Sequence, residues 1–77
     1  MLKPADKKVL KKFGENLQKL RKAKKLSLRQ MSYSCNIDNS KIAKIEKGKV
    51  NITLSTLLQL AGALEIHPSS LLEYESE

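Results

Sequence analysis

Apolar positions along the chain fall into helical stripes separated by polar breaks. Leu10, Phe13, Leu17 and Leu20 recur at steps of three, four and three, the spacing of one helix face. Asp6 is placed to cap this helix, which is expected to run to about Lys24 with Lys8, Lys11, Lys12, Lys19 and Lys22 on its outer side. Leu28, Met31 and Cys35 form a second stripe, predicting a helix over 28–34. Asn36 interrupts it, and Asn accepts a left-handed backbone more readily than any residue except Gly. Ile37 then points inward, and Asp38 caps a third helix over 39–47 with Ile42 and Ile45 inward. Thr53 caps a fourth, whose inward set is expected to be Leu54, Leu57, Leu58, Ala61 and Leu64. Pro68 starts a short last helix carrying Leu71 and Leu72.

The pattern predicts an all-α fold of five short helices. It forms one domain over residues 6–74, with flexible ends at 1–5 and 75–77. No strand alternation or repeat occurs. The breaks carry their own expectations. Gly48 is a left-handed stop for the third helix. No Gly ends the first, so Lys24 or Lys25 must take the strained conformation before Ser27 caps the second. Gly14, inside the first helix, costs roughly 1 kcal/mol relative to Ala, and a close helix crossing would explain it.

Charge changes the picture by its placement. The 77-residue chain carries a net +7. All 15 Lys and Arg lie within residues 1–49, against four acids there, Asp6, Glu15, Asp38 and Glu46. Residues 50–77 hold no Lys or Arg and four acids, Glu65, Glu73, Glu75 and Glu77. The basic part suits a polyanion. The acidic, leucine-rich end suits a different task.

Candidate chemistry is sparse. Cys35 is the only cysteine, so an intrachain disulfide and a cysteine zinc site are both excluded. It is expected to serve as a small core residue in a reducing, cytoplasmic setting. No apolar run reaches the roughly 18 residues of a membrane span, and the N-terminus has no signal-peptide pattern. No nucleophile–base pair, metal cluster or phosphate loop is present, which argues against an enzyme and calls for no cofactor or metal. His67 is alone and suits a helix start. Phe13 and two tyrosines are too few for a single-strand stacking platform.

Leu28–Glu46 thus reads as two short helices around a three-residue turn, a unit that presents its second helix to the DNA major groove. Its residues carry a family resemblance. Ser32 stands as the small residue inside the second helix, and Asn36 as the turn residue accepting positive φ. They are followed by Ile42-x-x-Ile45-Glu46-x-Gly48 and by Thr53-Leu54-x-x-Leu57-Leu58-x-Leu60-Ala61-x-Ala63-Leu64. Together, over residues 10–72, the chain resembles the Cro/cI-type (lambda-repressor-like, Xre) helix-turn-helix DNA-binding domains. It departs from them at Ser32 (usually Ala), at Asn36 (usually Gly) and at Leu28, where relatives often place a phosphate-binding Gln.

The resemblance implies a sequence-specific regulator of transcription, in the sense of a repressor. It would bind double-stranded DNA as a homodimer. It also implies an ion pair between Arg21 and Glu46, tying the first helix to the recognition helix. On a helical wheel, Ile42 and Ile45 lie about 60° apart and face the core. The opposite arc offers Asn39, Ser40, Ala43 and Lys44 for reading bases. Ser27, Arg29, Lys41, Lys47, Lys49 and Asn51 are placed for phosphates. Among Ile66, Leu71, Leu72 and Tyr74, some close the core and the surplus would form a two-fold patch. The alternative is an antitoxin- or antirepressor-type interaction module that uses the same scaffold to bind a partner protein.

Overall fold

The computed structural model describes the backbone of residues 4–74 and the side chains of residues 7–74. It contains four α-helices, α1 (Pro4–Ala23), α2 (Leu28–Cys35), α3 (Asn39–Glu46) and α4 (Leu54–Leu64), followed by a 3-10 turn at Pro68–Leu72. The fold is all-helical, but the expected fifth helix is a single stretch of 3-10 geometry. His67 caps it through its ring nitrogen, Pro68 opens it, and it ends at Glu73. Five residues give too few turns for a stable α-helix on their own.

The first helix starts three residues earlier than expected. Pro4, rather than a residue after Asp6, opens it, since proline's fixed φ and missing N–H suit a first turn. Residues 1–3 and 75–77, assigned to flexible ends, lie outside the described residues, while residues 4 and 5 are helical. Helix α2 extends to Cys35, and α3 closes at Glu46 with Lys47 as its cap.

The left-handed positions explain how elements without glycine stops end. Lys25 has φ 60° and Asn36 φ 59°, as the breaks required, and Gly48 has φ 72°. Glu65, at φ 56°, is a further left-handed residue that terminates α4.

One core joins the elements. Phe13 and Leu17 of α1, Met31 and Cys35 of α2, Ile37 of the turn, and Ile42 and Ile45 of α3 meet Leu60, Ala61, Ala63 and Leu64 of α4 and Leu71. Helix α3 is wedged between α1 and α2, α2 also packs on α4, and the 3-10 turn lies across α1 and α4. A buried polar tie fixes that last contact. Asn16 donates through Nδ2 to the carbonyls of Leu71, at 3.0 Å, and Ser70, at 3.2 Å.

Two expectations about the core are corrected. Leu54 and Leu58, expected inward, are 71% and 51% exposed, while Leu60 is fully buried. Helix α4 is apolar around most of its circumference, so periodicity could not orient it. Leu71, named for the two-fold patch, is fully buried and closes the core.

Candidate nucleic-acid interface

The interface is built on α2, the turn and α3. Helix α2 opens with a reciprocal capping box. The Ser27 Oγ accepts from the Gln30 N–H at 3.0 Å, and the Gln30 Oε1 accepts from the Ser27 N–H at 2.8 Å. Gln30 has no place in the expected site, yet the Ser-x-x-Gln spacing is a sequence signal for this box. Asn36 ends α2, its N–H donating to the Ser32 carbonyl at 3.2 Å. Leu28 is partly buried against the core, and as a leucine it offers no polar group to the outside.

Helix α3 starts at Asp38, whose carboxylate accepts from the Ser40 N–H at 3.1 Å and also from the Ser40 hydroxyl. Those bonds, side chain first and backbone second, hold the Asp38 carboxyl below its ordinary value despite full exposure. An acid here also meets the positive end of the helix. Ile42 and Ile45 are buried, as the wheel required. The opposite arc faces outward. Ser40 and Lys44 are exposed, and Asn39 and Ala43 are half-buried. Ser27, Arg29, Lys41, Lys47, Lys49 and Asn51 are all exposed along the flanks. The Asn51 Oδ1 accepts from the Ile52 N–H at 2.9 Å, leaving its amide hydrogens outward.

The last turn of α3 is held by α1. The Arg21 Nε and Nη2 donate to the two carboxylate oxygens of Glu46, at 2.7 and 3.1 Å. The Arg21 and Glu46 side chains are 8% and 3% exposed. Arg21 also donates from Nη1 to the Leu26 carbonyl at 2.6 Å, and the Gln18 Nε2 donates to Glu46 at 3.2 Å. The structure thus contains the expected pair and adds Gln18, which sits three residues before Arg21 on the same face. No buried side-chain nitrogen or oxygen lacks a partner among the described residues.

Two glycines let the backbones approach. A Cβ on Gly14 would lie 2.4 Å from the carbonyl oxygens of both Ile45 and Glu46, so the close crossing is between α1 and the last turn of α3. A Cβ on Gly48 would lie 2.6 Å from the Cα of Lys11. Gly48 therefore serves twice, by its positive φ and by its closeness to α1, and only the first role was legible in the sequence.

The four residues of the proposed patch separate. Leu71 belongs to the core, Leu72 is 57% exposed, and Ile66 and Tyr74 are partly covered. Leu72 and Tyr74 border an apolar groove with Val9, Val50 and Ile52. No group of three or more metal-ligating side chains gathers among the described residues, and none of the described helices is long and apolar enough to cross a membrane.

The same arrangement is found in known proteins. The helix-turn-helix domain family matches residues 14–77. The immunity repressor protein of Bacillus phage phi105 is 36% identical over 63 residues, 82% of this chain and 44% of the repressor. The chain thus spans under half of that relative's length. Control protein C.BamHI of Bacillus amyloliquefaciens is 27% identical over 63 residues, 80% of this chain and 78% of that protein. The crystal structure of the restriction-modification controller protein C.AhdI from Aeromonas hydrophila superposes with a TM-score of 0.81 at 39% identity, covering 83% of this chain and 97% of that one.

Proposed function

Because the chain belongs to the helix-turn-helix domain family, we propose that it regulates transcription by binding specific double-stranded DNA with α3 in the major groove. The proposal takes it to repress, and to bind as a homodimer on two half-sites about one helical turn apart. The carrying observation is the outward arc of α3, with Ser40 and Lys44 exposed, on a helix whose last turn is tied to α1 by the buried Arg21–Glu46 pair. Similarity to a phage immunity repressor, to a control protein and to a restriction-modification controller protein supports the same reading.

Within this reading the side chains have distinct tasks. Asn39 offers the paired donor and acceptor that match adenine N6 and N7. Lys44 donates to guanine O6 and N7, and Ala43 admits a thymine methyl. Ser40 spends its hydroxyl hydrogen on Asp38, so it presents lone pairs and accepts from an adenine or cytosine amino group. Ser27, Arg29, Lys41, Lys47, Lys49 and Asn51 hold phosphates and set the register. With Leu28 apolar, Ser27 and Arg29 take over at the start of α2.

The second copy would meet the acidic end. Leu72 is its best-exposed member, and Ile66 and Tyr74 flank it. Burying Leu72 together with the adjoining apolar groove removes exposed hydrophobic surface.

Selection of sites from random duplex DNA tests the reading. The wild-type chain should enrich one palindromic sequence. Asn39→Ala should relax preference at particular base pairs, costing about 1–3 kcal/mol there. Lys41→Ala should weaken all sequences alike and reduce the salt slope by about one. No enrichment, with a flat salt response, would instead favour the partner-binding module.

A further inference from the structure

We infer that Lys7 and Lys11 of α1 form a second phosphate-holding strip, gripping the duplex backbone outside the stretch that α3 reads. The inference rests on the DNA-binding function proposed above and adds a contact surface to it.

Positions 7, 11, 14, 18 and 21 form one row along α1, at steps of four, three, four and three. The C-terminal part of this row is in contact with α3. Gly14 faces the Ile45 and Glu46 carbonyls, and Gln18 and Arg21 bond to Glu46. Helix α3 ends at Glu46. The row therefore continues past the end of α3, and its next members, Lys11 and Lys7, run beside the loop that follows. Lys11 marks the place, since its Cα lies 2.6 Å from where a Cβ of Gly48 would be. Lys47 and Lys49 flank that glycine in sequence, and Lys7, Lys11, Lys47 and Lys49 are all exposed.

The contact at Gly48 thus sets the N-terminal part of the α1 row beside the loop, so that two lysines of α1 and two of the loop belong to neighbouring segments. Neither α1 lysine makes an ion pair among the described residues, Glu15 one turn on from Lys11 included. Such a concentration of like charge is unfavourable unless a polyanion neutralises it. On the DNA-binding reading, the duplex backbone that borders the groove is the polyanion these lysines would hold. Lys7 and Lys11 also precede residue 14, where the family match begins.

The salt dependence of binding to the selected site tests the assignment. Lys7→Gln/Lys11→Gln is compared with Lys12→Gln/Lys19→Gln, which removes the same charge from the side of α1 that meets Glu73 and Tyr74. Circular dichroism melts establish that both fold. The first variant should reduce the slope of log K against log salt by about 1.8 while selecting the same sequence. Between about 50 and 200 mM salt it should then lose about twelvefold less affinity than wild type. The control should shift the slope by less than about 0.5. Equal shifts in the two variants, or none in the first, would overturn the inference. Failure of the wild-type chain to enrich any sequence would overturn the function on which it rests.

Discussion

The Arg21 guanidinium grips the Glu46 carboxylate through two hydrogen bonds, at 2.7 and 3.1 Å, joining the first helix to the last turn of the helix proposed to read DNA. Both side chains are out of water, so each charge depends on the other. Glu46→Gln should lower stability by about 3–5 kcal/mol, because it strands the guanidinium. Urea unfolding measures this; a change under about 0.5 kcal/mol would place the pair among ordinary surface charges.

Gly14 and Gly62 are both helical glycines, and alanine should act on them with opposite signs. At Gly14 the new methyl meets two backbone carbonyls at 2.4 Å, and backbone cannot swing aside. The overpacking cost, about 1–3 kcal/mol, should outweigh the roughly 1 kcal/mol that alanine adds to a helix. At Gly62 nothing lies within 4 Å, so Gly62→Ala should stabilise by about 0.5–1 kcal/mol. Paired thermal melts would refute the crossing if both substitutions stabilised.

Lys25 holds φ 60° where α1 gives way to α2. A left-handed backbone costs a residue with a Cβ about 1–2 kcal/mol, and glycine escapes this while losing some unfolded-state freedom. Lys25→Gly should therefore stabilise by a net of about 0.5–1 kcal/mol and raise the melting temperature, with DNA affinity on the selected site kept within a single charge's effect. A lower melting temperature would count against strain at this position.

Asp38 makes the α3 cap pH-dependent. Its folded-state pKa is held below the ordinary 3.8 by the Ser40 hydroxyl and N–H. A lowered carboxyl pKa contributes stability that is complete above the unfolded value and disappears as pH falls through the folded one. The stability gap between wild type and Asp38→Ala should be full at neutral pH and narrow below about pH 4. A gap constant down to pH 2 would assign the cap's effect to something other than the ionised carboxylate.

Leu72, 57% exposed beside an apolar groove, is the residue on which the proposed two-fold contact most depends. Leu72→Asp should weaken self-association by about tenfold or more in sedimentation equilibrium. It should leave the melt little changed, since the side chain is outside the core. An unaltered dimer mass would exclude this patch.

Much of the molecule follows from local order in the chain. The spacing of Leu10, Phe13, Leu17 and Leu20 specifies an amphipathic α1. Asn36 and Asp38 specify the turn, because one tolerates positive φ and the other caps what comes next. The outward arc of α3 follows from Ile42 and Ile45, since burying two residues on one side leaves the rest of a short helix facing out. These features depend on contacts a few residues apart, which a linear pattern records.

Other features exist only once distant segments meet. Which face of α4 is buried was undecidable from a helix apolar nearly all round, and packing against α2 and the 3-10 turn selected Leu60 over Leu54 and Leu58. Pro68–Leu72 is anchored across α1 by Asn16, a tie between residues more than fifty positions apart. Gly48 reads locally as a helix stop, yet its contact with Lys11 depends on how α1 crosses α3. That crossing, set by Gly14, Gln18 and Arg21, carries two α1 lysines past the end of α3. Helical periodicity places residues on faces; only the packing of one face against another decides which charges share an edge.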